Sequence, residues 1–226
     1  MMRGMTLANA VRRLNSRRPS GLPGRFLVTD AARRPDPLPA AARLAAGQGV
    51  VLRHYGRPER AALAKRLAAL AARRKLVLLV ADDWRLAAAL GAGLHLPEGM
   101  LRSGRLAPAL GWARRRRRLV TAACHSRAAL AAAARLGVDA ALLSPVFATA
   151  SHPGAPALGP LRFARLCRAA RLPVYALGGI APATIGRLAA SGAAGVAGVG
   201  AFGLSAFGLL KAFFVEMQKV PPYHTS

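Results

Sequence analysis

Apolar residues along this chain fall into short continuous runs separated by longer stretches with helical spacing. Eight runs read as strands: 25–30, 49–55, 75–82, 93–97, 119–125, 140–147, 173–179 and 195–201. They lack polar alternation, which is how parallel strands covered on both faces look. Helical stretches lie between or after them, clearest at 58–74, 127–136, 160–171 and 182–191. The first opens on Pro58 and Glu59 and carries Leu63, Leu67 and Leu70 on one face. The last opens on Pro182 and stops at Gly192. Strands alternating with helices require crossover connections, and eight such units predict an α/β fold, a single (β/α)8 barrel. An open doubly wound sheet would carry a glycine-rich turn after the first strand, and Thr29-Asp30-Ala31-Ala32 is not one.

The predicted organisation is a basic N-terminal extension, 1–24, followed by the barrel at 25–220. The extension holds five Arg and no acid; Leu7, Val11 and Leu14 recur in it at helical spacing. At the other end, Phe207, Leu210, Phe213 or Phe214, and Met217 fall on one helical face and predict an eighth outer helix. The longest candidate span, 186–210, is broken by Arg187 and many glycines, so no membrane partner is expected. Cys124 and Cys167 are the two cysteines. They read as free thiols of a reducing, cytoplasmic compartment.

A net charge of +26 has two readings. One is an electrostatic footprint for nucleic acid centred on Arg114 to Arg118. The other is a compositional bias toward Arg, Ala, Gly and Pro. No nucleic-acid motif accompanies the arginines, so the second is preferred and no specific nucleic-acid partner is expected. The positive field would still attract small phosphorylated substrates.

Only eight acids are present. Asp30, Asp82, Asp83 and Glu98 lie at or just past strand C-termini, as do His54, His95 and His125, with His152 following one. In a barrel these ends converge on the catalytic face. His125 ends an apolar run and reads either as a proton carrier or as a strand cap bonded to a carbonyl. His95, between Leu94 and Leu96, reads as a core histidine. Asp82 and Glu98 are candidates for a Mg²⁺ site; the competing reading of Asp82-Asp83 is helix capping before Trp84. Gly178-Gly179 and Gly198 to Ala201, with Gly200 between, follow the seventh and eighth strands, where barrels build phosphate cradles.

Leu94-His95-Leu96, Cys124-His125-Ser126, Ser144-Pro145-Val146-Phe147-Ala148-Thr149 and Ala176-Leu177-Gly178-Gly179-Ile180 together resemble the thiamine-phosphate synthase and thiazole tautomerase superfamily, over about residues 25–202. The resemblance implies thiamine biosynthesis, in which a synthase joins a pyrimidine diphosphate to a thiazole phosphate with Mg²⁺-assisted release of pyrophosphate. Arg53 matches the family arginine of the second strand, but Tyr55 stands where a lysine is expected and Val51 where a glutamine is. Asp82 matches one metal aspartate; Met100 falls at the other, with Glu98 as a substitute. Thr149 and Ser151 match hydroxyl positions, and His152 occupies a lysine position. The thiazole-phosphate side is kept and the pyrophosphate side eroded. Synthase is the first reading. The alternatives are a tautomerase, whose fifth-strand histidine corresponds to His125 and which needs no metal, and a non-catalytic phosphate-binding barrel.

Overall fold

A computed structural model describes residues 21–149, 154 and 156–199. Eight parallel strands close into a barrel in chain order: β1 (Arg25–Val28), β2 (Gly49–Leu52), β3 (Val77–Ala81), β4 (Gly93–Leu96), β5 (Val120–Cys124), β6 (Ala140–Leu143), β7 (Val174–Leu177) and β8 (Gly195–Gly198). Closure is made by β1 and β8, with Phe26 opposite Ala197. The predicted barrel is therefore present. The strands stop short of the predicted runs because the last residues of each run turn out into the loops.

Seven α-helices lie between strands: α1 (Leu38–Ala41), α2 (Arg60–Arg74), α3 (Trp84–Ala89), α4 (Ala107–Arg115), α5 (Arg127–Arg135), α6 (Gly159–Ala169) and α7 (Pro182–Ile185). A 3-10 turn (Glu98–Arg102) precedes α4. The expected helix over 182–191 is instead α7 followed by a 3-10 turn (Gly186–Leu188). Glycine at 186 favours neither end of a continued α-helix, and the chain tightens there. Among the described residues no helix is long and apolar enough to cross a membrane. The N-terminal extension up to residue 20 and the predicted eighth helix lie outside the described residues.

Alternate strand residues separate two cores. Leu27, Val50, Leu52, Leu78 and Val80 point outward and pack on Leu63, Leu67 and Leu70 of α2. Leu94, Leu96 and Leu143 join Phe163 of α6 in a second outer cluster. Phe26, Val28, Val51, Leu79, Leu142 and Tyr175 fill the barrel itself. The Phe26 and Tyr175 rings meet edge to face, 5.0 Å between centroids. They fit because Gly49 and Gly195 stand opposite them; a methyl at Gly195 would lie 2.7 Å from the Tyr175 ring. The Tyr175 hydroxyl donates to the Pro23 carbonyl at 2.6 Å and closes the barrel floor. Aromatic bulk at this end leaves the space at the strand C-termini open.

Candidate active site

The strand C-termini surround a cavity of about 800 Å³. Its wall includes Arg53 after β2, His95 of β4, Glu98, His125 after β5, Ser144 after β6 and Gly178-Gly179 after β7. Arg33, Tyr55, Thr149 and Gly198 also line it.

His125 is held from both sides. Its backbone N–H donates to Glu98 Oε2 at 2.6 Å. Its Nδ1 lies 2.9 Å from the Ser144 carbonyl oxygen and 3.2 Å from the Ser144 hydroxyl. A carbonyl oxygen only accepts, so Nδ1 carries a proton. In the neutral ring the basic nitrogen is then Nε2. The carbonyl bond expected of a strand cap is thus present on a residue that also lines the cavity. Ser126 caps α5, its hydroxyl accepting from the Ala129 amide at 3.1 Å, which sets the chain direction just beyond His125.

Arg53 is anchored by three contacts. Its amide donates to the Thr29 hydroxyl at 2.9 Å, its Nε donates to the Thr29 carbonyl at 2.9 Å, and its Nη2 pairs with Asp30 at 3.4 Å. The Thr29 hydroxyl also meets His54 Nδ1 at 2.9 Å, and His54 Nε2 donates to the Pro35 carbonyl at 3.0 Å. His54 therefore ties the β1 and β2 loops together and is not part of the cavity wall.

His95 is 3% exposed, with Nδ1 2.8 Å from the Thr121 hydroxyl. Burial, and secondarily the Arg53 charge, lowers its pKa to about 3. It is a satisfied core histidine, as expected, and at the same time a neutral polar group on the cavity wall.

Gly178 and Gly179 have φ of 96° and 63°, a region that favours glycine. A methyl at Gly178 would lie 2.9 Å from Pro145 Cα; one at Gly179 would lie 2.5 Å from the Ala148 oxygen. The need for glycine thus comes first from packing on the β6 loop. The Val146 and Phe147 amides donate to the Leu177 and Gly178 carbonyls, at 2.9 and 3.1 Å. Thr184 fixes the far side of this turn, accepting from the Ala181 amide and donating to the Gly179 carbonyl, both at 2.9 Å.

Asp82 and Glu98 do not share the cavity: Glu98 lines it and Asp82 does not. Asp82 is exposed, with φ of 65°. Its neighbour Asp83 performs the capping, accepting from the Leu86 amide at 2.9 Å. Glu98 already holds the His125 amide. Among the described residues no three His, Cys, Asp or Glu side chains gather to hold a metal. Asp82 and Glu98 are thus not brought together on the cavity wall, and no protein-built metal cage occurs among the described residues. At the lysine position, Tyr55 is pushed toward a higher pKa by burial and remains a neutral phenol. Ser151, His152, Gly200 and Ala201 lie outside the described residues.

Arg33 and Thr121 are not singled out by the sequence pattern, and Ser144 enters there only as the first residue of the Ser144–Thr149 motif, with no role of its own. Ser144 carried the same signal as the histidines, a polar residue at a strand C-terminus. Thr121 shares inward parity with His95, which its register partner at β4 makes visible only once pairing is known.

A family model described as thiamine monophosphate synthase matches residues 26–202. The chain belongs to the thiamine monophosphate synthase family. It is 34% identical over 144 residues to "Putative thiamine-phosphate synthase 2" of Aquifex aeolicus, spanning 62% of this chain and 73% of that one. It is 38% identical over 123 residues to "Putative thiamine-phosphate synthase" of Geobacter sulfurreducens, spanning 53% of this chain and 55% of the relative. The match therefore covers about half the length of that second protein. The solved thiamine phosphate pyrophosphorylase from Pyrococcus furiosus superposes with a TM-score of 0.66 at 21% identity, covering 87% of this chain and 96% of that one. That likeness shows a shared fold.

Proposed function

We propose that the cavity binds a phosphorylated thiazole and that His125 moves a proton on it, the tautomerase type of chemistry within this family. The observation that carries the reading is the bond between His125 Nδ1 and the Ser144 carbonyl oxygen at 2.9 Å. It directs the basic function to Nε2 of a residue on the cavity wall. Nε2 takes a proton from one carbon of the thiazole carboxylate phosphate and returns it at another, so the reaction is an isomerisation with no net proton change. Glu98 positions the residue through its amide. Gly178, Gly179 and Thr149 line the part of the cavity that would take the phosphate, and Arg53 supplies positive charge to the anionic ligand.

Thiamine-phosphate synthesis is the second reading. Family membership and the guanidinium of Arg53 in the cavity favour it. It requires stabilisation of a departing pyrophosphate, and the neutral Tyr55 and the position of Asp82 outside the cavity wall weaken that side. The two buried free cysteines support a reducing, cytoplasmic setting.

The test follows both products from one sample, thiazole tautomer by proton NMR and thiamine phosphate by fluorescence after oxidation, with Mg²⁺ or with chelator. Metal-independent tautomerisation abolished in His125→Gln is expected. Fast, Mg²⁺-dependent thiamine phosphate formation without tautomerisation would overturn the first reading in favour of the second.

A further inference from the structure

The charge of this chain is not spread evenly over the barrel. Six of the seven acids among the described residues, Asp30, Asp36, Glu59, Asp82, Asp83 and Glu98, lie on connections leading out of strand C-termini, on the cavity side. The turns leading from helices into the next strand lie at the opposite end. They carry Arg43, Arg73 to Lys75, Arg114 to Arg118, Arg135, Arg168 and Arg171, all exposed, against the single acid Asp139. Neither ion pair among the described residues, Arg53–Asp30 or Arg60–Asp83, involves them.

Helix electrostatics accounts for part of this pattern. Arg73, Arg74, Arg114, Arg115, Arg135 and Arg168 sit in last helical turns, where a cation complements the helix dipole. Lys75 and Arg116 are the C-cap residues of α2 and α4, while Arg117, Arg118, Arg171 and Arg43 lie beyond the helix ends, where the dipole falls off. Two of them occupy left-handed positions: Lys75 with φ of 53° and Arg117 with φ of 51°. The corresponding turns after α3 and α5 use Gly91 and Gly137, at 61° and 67°. A cation therefore stands at two positions where glycine is the unstrained choice. Arginines occur at both ends; compositional bias explains their abundance but neither the confinement of six of the seven acids to the cavity end, which leaves the opposite face with unbalanced positive charge, nor this choice.

We propose that the face of the barrel opposite the cavity binds the phosphate backbone of a nucleic-acid duplex without reading its sequence. Guanidinium forks match phosphate oxygens. A membrane surface would call for apolar anchors among the cations. The exposed large apolar residues among those described, Tyr55 and Leu161, both lie toward the cavity end. Single strands would call for exposed aromatic platforms, and this face carries none among the described residues. The proposal is independent of the reaction assigned to the cavity.

The test measures binding of the full chain to a fluorescein-labelled 20-base-pair duplex of random sequence by anisotropy across a KCl series. Engagement of about five phosphates gives a log–log salt slope near about −4.5, a loss of about 500-fold between 50 and 200 mM. Arg115→Ser, Arg116→Ser and Arg118→Ser combined should weaken binding at least about tenfold and flatten the slope by about two to three. Arg57→Ser, Arg102→Ser and Arg105→Ser remove the same charge from the cavity side and should change affinity less than about threefold. Thermal unfolding checks both triples; if the first unfolds early, Arg116→Ser alone should still flatten the slope by about one. Equal losses from the two triples would reduce the effect to net charge and overturn the proposal. So would salt-independent binding, or tighter binding to vesicles with 30% phosphatidylserine than to the duplex.

Discussion

His125 Nδ1 lies 2.9 Å from the carbonyl oxygen of Ser144, and that distance assigns the ring proton. The residue just after β5 is thereby oriented by the residue just after β6, brought beside it by the parallel pairing of the two strands, with Cys124 opposite Leu143. Replacing His125 by Gln keeps a polar group for the Ser144 carbonyl and removes the base. Thiazole tautomerisation should fall about a hundred- to ten-thousandfold, the usual range for loss of a general base. Affinity for thiazole phosphate, measured by calorimetry, should change little. A matching loss of affinity would make His125 a binding residue.

Arg53 is held by Thr29 and Asp30 and so presents its charge from a fixed position. Arg53→Ala should weaken binding of inorganic pyrophosphate by about ten- to a hundredfold, the value of a charge-assisted contact. Thiazole phosphate, which the proposed function places near Gly178 and Gly179, should lose less. Equal losses for the two ligands, read by competition calorimetry, would mean that Arg53 acts by holding the β1 and β2 loops in place.

The barrel was legible because its strands are continuous apolar runs and its helices carry leucines at helical spacing; both patterns are local. The gathering of Arg53, Glu98 and His125 was legible for the same reason, since strand C-termini meet at one end. Other features depend on neighbours far along the chain. Gly179 needs to be glycine because Phe147 and Ala148 lie against it. His54 and His95 look alike in sequence, yet one ties loops outside the cavity and the other faces into it. Asp82 and Asp83 differ by one position, and the turn after β3 gives the cap to the second and leaves the first exposed.

His95 makes the fold sensitive to acid. Its pKa is about 3 in the folded protein against an ordinary value of 6.5. Between these values the unfolded chain binds a proton that the folded chain refuses, so stability falls as pH falls. The contribution is fully present above about pH 6.5 and declines by up to about 1.4 kcal/mol per pH unit below it. His95→Asn retains a polar atom toward Thr121 without the titration. Urea midpoints at pH 7 and pH 4.5 should therefore differ less in the variant than in the parent. Parallel pH dependences would show that His95 takes up its proton in the folded state. Arg53→Ala, which removes the second cause of the shift, should weaken the acid sensitivity in part.

Gly179 separates packing from ligand binding. Its φ of 63° is unfavourable for alanine by about 1–2 kcal/mol, and the added methyl would meet the Ala148 oxygen at 2.5 Å and Phe147 Cβ at 2.6 Å. With overpacking added, Gly179→Ala should lower stability by about 2–4 kcal/mol in urea unfolding. Gly99 is the comparison: no atom lies within 4 Å of a methyl there and its φ is not positive, so Gly99→Ala should stay within about 0.5 kcal/mol. If glycine were required at 179 only to let a phosphate approach, Gly179→Ala would lose affinity for thiazole phosphate at unchanged stability. The geometry predicts the opposite order, a stability loss first, with affinity falling because the turn from Gly178 to Ala181 no longer seats against the β6 loop that carries Ser144 and Thr149.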